Sequence, residues 1–192
     1  KPNYYGAIAI RTQITTQDIS NLNSNNISLI MGSNAHLVLY PINQQKEINL
    51  VCVIRKKSED SDSIKTILEN TILKENKNLL NLFKRDLKSW PIYTYDKPIK
   101  SIYKNVFYVG DAFYTFPPTM AQGASQAIEA ANEIFELIND NHSDIQNKYF
   151  KNRVKKTNII NKRSKFNYFG FHISNPFLKI LRNKFLKYLV EN

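Results

Sequence analysis

Residues 106–138 read VFYVGDAFYTFPPTMAQGASQAIEAANEIFELI, and this stretch decides the fold. It opens with a short apolar run, residues 106–109, which predicts a buried strand. The run stops at a Gly-Asp pair at 110–111. A proline pair at 117–118 follows, and its fixed φ angles and missing N–H groups exclude both helix and sheet there. The pattern therefore predicts a strand, a carboxylate and a stiff loop in direct succession.

A helix is predicted from Gly123 onward. Its apolar residues recur at intervals of three and four, whereas Glu129, Glu133 and Glu136 fall on other parts of the helical wheel. This spacing predicts an amphipathic helix whose apolar positions are Ala124, Ala127, Ile128, Ala131, Ile134, Phe135 and Ile138.

This succession of elements is typical of a ligand-binding site. Asp111 is expected just beyond the carboxyl end of the strand, where open α/β sheets bind their ligands. The small residues Ala121, Gly123, Ala124 and Ser125 would let a flat ligand approach the unpaired N–H groups of the first helical turn. Those N–H groups and the helix dipole favour an electron-rich acceptor. An ordinary strand–loop–helix with a capping Asp is the alternative.

Three short motifs in this stretch carry a resemblance to a known family. They are Gly110-Asp111-Ala112, the proline pair at 117–118, and the run QGASQAIE at residues 122–129. Together they resemble the second flavin-binding motif of the FAD-dependent aromatic-ring hydroxylases, the flavoprotein monooxygenases with the para-hydroxybenzoate hydroxylase fold. One departure is the Phe113-Tyr114 pair, which stands where that family usually has Ala-His.

The resemblance implies a set of FAD contacts. Asp111 would hydrogen-bond the ribityl chain, residues 116–119 would lie near the isoalloxazine ring and the substrate, and the backbone of residues 123–125 would hold the pyrimidine end of the flavin. The residues implied in FAD binding are Gly110, Asp111, Pro117, Gln122, Gly123, Ala124 and Ser125.

The activity that the resemblance implies is hydroxylation of an aromatic or similar small organic substrate. The reaction would use O₂ and NAD(P)H and proceed through a flavin C4a-hydroperoxide, because FAD carries the difficult chemistry. Two alternatives stay open. One is a flavin-dependent reductase or dehydrogenase on the same fold. The other is a non-enzymatic module that docks on membrane or nucleic acid through a basic tail.

The chain of 192 residues begins at Lys1 in what resembles mid-domain sequence. Its five glycines are too widely spaced for a Gly-x-Gly-x-x-Gly dinucleotide fingerprint. We therefore expect the C-terminal part of a longer enzyme that lacks the N-terminal Rossmann βαβ unit and is inactive on its own. The fold class predicted is mixed α/β (α+β): an antiparallel substrate-domain sheet, the strand–loop–helix that completes an FAD-binding domain, and basic C-terminal helices.

Three regions are predicted: a substrate-binding domain at residues 1–100, the C-terminal part of an FAD-binding domain at 101–141, and a basic helical region at 142–192. The net charge of +11 is concentrated in the third region, which has 12 Lys and Arg against 2 Asp and Glu.

No run approaches the roughly 20 apolar residues of a membrane span. Cys52 is the only cysteine, so a reducing compartment and core packing of this thiol are expected. The predicted location is cytoplasmic, peripheral at the inner face of the membrane if the basic helices contact it.

The first hundred residues are rich in strand patterns. Residues 4–11 are β-rich, and residues 27–31, 36–41 and 48–55 are predicted as successive antiparallel strands that roof a substrate cavity. By resemblance, residues 4–11 are the segment that enters the substrate domain, which would place Arg11 near the active site; an arginine that faces water at a strand end is the alternative. His36 and Tyr40 are the other catalytic candidates, although a structural role is favoured for His36. Tyr40 is preferred, because such rings commonly line pockets for flat aromatic substrates.

The remaining elements are predicted to be helical. Residues 64–83 form one or two helices, and Trp90 and Pro91 end the helical pattern. Residues 145–163 form a very basic helix, Gly170 ends a short element, and Pro176 opens the last helix. The apolar stripe of the last helix, with Phe177 and Leu181 among its members, packs on the core or lies on a membrane surface.

The predicted partners are a small aromatic substrate and, through the basic helices, a peripheral membrane contact; no nucleic-acid partner is predicted. His142 and His172 lack partners at ligand spacing, so no metal site is assigned.

Overall fold

A five-stranded sheet carries most of the buried apolar side chains. The structure is a computed structural model that describes residues 1–19, 25–58, 63–72, 81–83 and 86–191. The strands are β1 (Asn3–Thr15), β2 (Ser28–Met31), β3 (Ala35–Ile42), β4 (Glu47–Arg55) and β5 (Lys88–Thr94), in the spatial order β2-β3-β4-β1-β5. The predicted strands at 27–31, 36–41 and 48–55 are confirmed as β2, β3 and β4.

The register of the sheet separates its two faces. β4 pairs antiparallel with both β1 and β3, so that Cys52 lies opposite Ile10 on one side and opposite Leu37 on the other. Side chains directly opposite one another share a face. Cys52, Ile10 and Leu37 belong to the main apolar cluster, and burial raises the pKa of the Cys52 thiol. This thiol is core packing, as expected.

Helix α1 (Ile64–Ile72) supplies Leu68 to the same cluster. Leu82 and Phe83, which follow the helix in the chain, also belong to this cluster. The helix predicted at 64–83 is therefore confirmed as far as Ile72. Residues 73–80 lie outside the described residues, and the helix does not include residues 81–83, where the chain makes a turn. Trp90 and Pro91, predicted to break the helical pattern, lie in β5.

Three further helices follow: α2 (Gly123–Asn139), α3 (Ile145–Phe171) and α4 (Pro176–Glu191). Short 3₁₀ turns lie at Thr16–Ile19, Gly110–Ala112 and Pro118–Met120. The mixed α/β class, with its antiparallel sheet and basic C-terminal helices, is confirmed. Of the helices described, none combines the length and the hydropathy required to cross a bilayer.

The chain divides into two compact units. One consists of Lys1–Tyr5 with Tyr93–Tyr168, and the other of Gly6–Ile92 with Phe169–Asn192. The second unit holds most of the sheet, and the first holds α2 and most of α3. The three regions predicted from sequence remain a prediction.

The strand predicted at residues 106–109 is not formed. This segment has no strand assignment, and Val106, Tyr108 and Val109 are exposed. An apolar run becomes a strand only when a neighbouring strand pairs with its backbone, and none of the described strands does so.

Helix α2 begins at Gly123 as predicted, but the side that it buries is not the side predicted from the spacing of its apolar residues. Gln126, Ala130 and Leu137 are buried, whereas Ile128 and Phe135 are 72% and 62% exposed. The side that carries Gln126 and Glu129 faces α3, where a buried arginine holds it by hydrogen bonds and ion pairs.

Two predictions about the C-terminal region need correction. Gly170 does not end a short element, because it lies in the last turn of the 27-residue helix α3. In α4, whose predicted start at Pro176 is confirmed, the apolar stripe does not pack on the core: Phe177, Leu181 and Phe185 are all exposed.

Candidate functional site

The turn at Gly110–Ala112 requires glycine at its first position. Gly110 has a φ of +56°, and a Cβ atom there would lie 3.1 Å from the Cβ atom of Ala127 on α2. The Gly110 carbonyl accepts the backbone N–H groups of Phe113 and Tyr114, each at 3.0 Å. The left-handed conformation and the close approach to α2 both exclude a larger side chain.

Asp111 is presented to the outside of this turn. Its side chain is exposed, and among the described residues no hydrogen-bond or ion-pair partner holds its carboxylate. The capping role considered from the sequence is not observed, because the residue before α2 is Gln122 and no side chain caps that helix. The carboxylate is thus open to a ligand with hydroxyl donors.

Phe113 fills an aromatic cluster. Its ring meets those of Tyr149 and Phe150 on α3 edge to face, at centroid distances of 6.1 and 5.9 Å. Phe113 is also buried. An alanine at this position would leave a cavity, and the departure from the family's Ala-His pair thus has a packing reason.

Tyr114 is buried as well, and it stacks on Phe116 with 4.9 Å between ring centroids. Burial, together with the negative charge of Asp96, raises the pKa of Tyr114 to about 12, although a hydrogen bond with Asn161 acts in the opposite direction. The phenol is therefore neutral over the physiological pH range.

The loop between the turn and α2 is fixed by a few contacts. Pro117 is fully buried, and the Thr119 hydroxyl donates to the Ser164 carbonyl on α3 at 2.7 Å. Ala121 adopts a left-handed φ of 51°, and its N–H donates to the Pro118 carbonyl at 3.4 Å. These contacts set the position at which α2 starts.

The first turn of α2 is open. Gly123, Ala124 and Ser125 are exposed, and the first helical hydrogen bond is donated by Gln126 N to the Gln122 carbonyl at 2.9 Å. The three preceding N–H groups have no acceptor within the helix. A Cβ atom on Gly123 would meet nothing within 4 Å. Exposed donors, small side chains and the nearby Asp111 fit the ring and ribityl chain of a flavin.

In the unit that holds most of the sheet, Arg11 and Tyr40 lie on the face opposite the main apolar cluster. Tyr40 stands directly opposite Asn49, and Asn49 is opposite Gln13, two residues from Arg11 along the same face of β1. Arg11 Nε donates a hydrogen bond to Asn49 Oδ1. Asn49 is fully buried, and its Nδ2 has no partner among the described residues. Asn49 thereby fixes the orientation of the guanidinium.

His36 lies on the same face but is not accessible. It is 2% exposed, its Nδ1 is 3.1 Å from Nε2 of His172, and its ring contacts Phe171 edge to face. Burial, with a smaller effect of His172, lowers the pKa of His36 to about 3. This placement favours the structural role for His36 over an acid–base role.

Sequence reasoning missed two of these residues. Asn49 could have been noticed as the polar position inside the apolar run at 48–54. The pairing of His172 with His36 has no local signal, because 136 residues separate them. Among the described residues, no group of three or more His, Cys, Asp or Glu side chains is placed to hold a metal ion.

Comparison with known proteins gives a fold but no close relative. No family model matches the sequence, and no curated protein matches it. Among solved structures, HpxO of Klebsiella pneumoniae complexed with FAD and uric acid has a TM-score of 0.80 at 12% identity, covering 96% of this chain and 49% of that chain. A salicylate hydroxylase substrate complex has a TM-score of 0.75 at 19% identity, covering 100% and 55%.

A third similar structure is PqsL of P. aeruginosa in complex with 2-aminobenzoylacetate, with a TM-score of 0.65 at 14% identity, covering 94% of this chain and 52% of that chain. The chain thus spans about half the length of the structures it resembles. At these identities the likeness concerns the fold. The chain has the fold of the C-terminal portion of FAD-dependent hydroxylases.

Proposed function

We propose that this chain forms the substrate-binding and flavin-contacting part of an FAD-dependent monooxygenase that hydroxylates an aromatic or similar small organic substrate. The observation that carries the proposal is the unpartnered, exposed carboxylate of Asp111 in a turn that packs against α2 at Ala127, together with the open first turn of that helix. The shared fold with hydroxylases crystallised with FAD supports it.

The cofactor contacts follow from the exposed groups. The Asp111 carboxylate accepts a hydrogen bond from a ribityl hydroxyl group. The free N–H groups of residues 123–125 donate to the carbonyl-bearing pyrimidine edge of the flavin, where the positive end of the α2 dipole adds to the attraction. Gly110 and the buried Pro117 act indirectly, because they shape the turn and loop that present these groups. FAD, when bound, supplies the redox chemistry.

The substrate contacts are assigned to the sheet. The Arg11 guanidinium offers hydrogen-bond donors in a fixed planar arrangement, which suits an oxygen substituent on a small molecule. The half-buried Tyr40 offers a ring edge and a hydroxyl group on the same face of the sheet. These residues bind and orient the substrate, and we assign no proton transfer to them.

The overall reaction consumes one NAD(P)H and one O₂ for each substrate hydroxylated, with the second oxygen atom leaving as water. A reductase or dehydrogenase on the same fold would leave no oxygen from O₂ in its product. The location proposed is cytoplasmic and peripheral to the membrane.

The proposal is tested with protein expressed from its complete reading frame. Flavin content is measured by absorbance, and NADH or NADPH oxidation is followed with salicylate, urate and 2-aminobenzoylacetate as probe compounds. Reaction under ¹⁸O₂ with mass spectrometry of the products should show one labelled oxygen atom in the hydroxylated product. A flavin-containing protein that oxidises NAD(P)H and converts a probe without incorporating label would favour the reductase alternative. Absence of bound flavin would refute the proposal.

A further inference from the structure

Helix α4 presents a continuous apolar surface to its surroundings. At 3.6 residues per turn, six of its apolar side chains fall within about one third of the helix circumference. All six are between 41% and 66% exposed: Phe177, Leu178, Leu181, Phe185, Tyr188 and Leu189. We call this set the apolar face of α4. Single exposed apolar side chains are normal, whereas a contiguous set indicates a contact surface.

The helix contacts its own unit through a side other than the apolar face. The partly buried side chains of α4 lie on the other side of the helical wheel or at the border of the apolar face. They are Lys179, Arg182 and Leu186. Arg182 Nη1 donates to the Gly170 carbonyl at 3.0 Å. At the start of the helix, Asn175 Oδ1 accepts the Leu178 N–H at 3.1 Å. The Arg182 bond ties α4 to the last turn of α3, and the Asn175 bond caps α4 at its start.

Basic side chains border the apolar face on both sides. Lys184 lies next to Phe177 on the wheel, with Lys187 further round the same border, and Arg182 lies next to Leu189 on the opposite border. In the C-terminal region, residues 142–192, the 12 Lys and Arg far outnumber the 2 acidic residues. A surface that is apolar in its centre and positive at its borders is complementary to an anionic bilayer, in which acyl chains lie below a layer of phosphate groups.

Other occupants fit this surface less well. A second copy of the chain would bring the same lysines against each other, and like charges repel. Nucleic acid would contact the lysines at the borders but leave the six apolar side chains in water, because phosphate contacts dominate such binding.

We propose that α4 lies in the plane of an anionic membrane surface, with its apolar face in the boundary between headgroups and acyl chains. Phe177, Leu181 and Phe185 enter the apolar layer. Lys184 and Lys187 reach the lipid phosphates with their charged ends, while their methylene stems stay on the apolar surface. This contact is independent of the proposed flavin chemistry.

The test is co-sedimentation of the full protein with vesicles of phosphatidylcholine, with and without phosphatidylserine. We expect binding to the vesicles that contain phosphatidylserine, and a steep loss of binding as salt is added. The variants Phe185→Ser and Lys184→Glu/Lys187→Glu should each lower partitioning by about tenfold or more. Phe135→Ser and Lys162→Glu, which remove an exposed ring from α2 and an exposed charge from α3, are the matched controls and should bind as wild type does.

A second measurement does not depend on a loss of binding. In a Trp90→Phe background, Tyr188→Trp places the one tryptophan of residues 1–192 on the apolar face, and its emission should shift to shorter wavelength on anionic vesicles. Equal binding to both vesicle types, or wild-type binding by Phe185→Ser, would overturn the proposal. Self-association without lipid that Phe185→Ser abolishes would assign the face to a second copy. If the protein binds DNA but not vesicles, and only the lysine variant loses DNA binding, the apolar face and its basic borders would be assigned to nucleic acid.

Discussion

The Nδ1 atom of His36 on β3 lies 3.1 Å from the Nε2 atom of His172, just after α3, and both rings are almost fully buried. One ring must donate and the other accept, so at least the accepting ring is neutral. Burial, and to a lesser extent His172, lowers the pKa of His36 to about 3. The hydrogen bond joins the sheet to the segment between α3 and α4.

The first prediction concerns stability in acid. An unfolded histidine titrates near pH 6.5, so between pH 6.5 and about 3 the unfolded chain binds a proton that folded His36 excludes. Above pH 6.5 His36 is neutral in both states, and the stability of the folded protein is at its full value as far as this group is concerned. Below pH 6.5 the free energy of unfolding falls as the pH drops, by up to about 1.4 kcal/mol per pH unit for this group. Urea unfolding at a series of pH values measures this slope.

Two variants make that measurement specific. His36→Gln should flatten the pH dependence, because glutamine does not titrate. His142→Gln is the matched control, since it removes a histidine that lies in the turn between α2 and α3 and accepts the Asp144 N–H through its Nδ1. An unaltered slope in His36→Gln would show that the buried pair is not the source.

The second prediction concerns Arg153 on α3, which is 2% exposed. Its Nη2 donates to Gln126 Oε1 at 2.6 Å, and its Nη1 lies 3.4 Å from carboxylate oxygens of both Glu129 and Glu133. Arg153→Met should lower the free energy of unfolding by about 1–3 kcal/mol. The loss stays below that of a fully buried pair, because both carboxylates are partly exposed.

Thermal and urea denaturation measure this loss. Arg163→Met on the same helix is the matched control, because Arg163 is exposed and should change stability by no more than about 0.5 kcal/mol. A similar loss in both variants would place the effect in the helix itself rather than in the contact with α2.

The His36–His172 pair and the contacts of Arg153 with α2 could not be predicted from the sequence. The strands could be predicted because they are short apolar runs bounded by turn residues, and Asp111 and Gly123 could be located because their motif is short. The buried side of α2 depends on α3, whose Arg153 selects the side with Gln126 over the side with Ile128. Likewise, the apolar run at 106–109 predicts burial, but a strand also needs a neighbour whose position no local pattern encodes.

The third prediction compares two glycines. Gly110→Ala should destabilise the fold by about 1–3 kcal/mol, because it forces a left-handed φ on a residue with a Cβ atom and brings that atom to 3.1 Å from Ala127 Cβ. Gly123→Val should leave the thermal melt near that of wild type, since a Cβ atom at this position meets nothing within 4 Å. The proposed flavin would meet it, however, so flavin affinity and flavin reduction should fall.

Thermal melts beside flavin titration and rapid-mixing kinetics separate the two effects. Ser125→Ala is the mild control, because the proposed donor at that position is the backbone N–H. Normal flavin reduction in a folded Gly123→Val protein would remove the first turn of α2 from the proposed flavin site.

The last prediction concerns Asp111. Asp111→Ala should lower the affinity for FAD by about 1.5–3 kcal/mol, roughly 10- to 150-fold, because it removes a charged acceptor from a ribityl hydroxyl group. Asp111→Asn keeps a neutral acceptor at the same position, so its loss should be smaller. Neither change should lower the melting temperature without FAD, because no hydrogen bond or ion pair of this carboxylate is found among the described residues. Flavin retention on gel filtration and titration of the apoprotein measure the effect.

Asp140→Ala, which removes an exposed carboxylate at the other end of α2, is the control and should retain flavin as wild type does. If Asp111→Ala also retains it fully, the open carboxylate is a surface residue of the turn and the flavin site must be sought elsewhere.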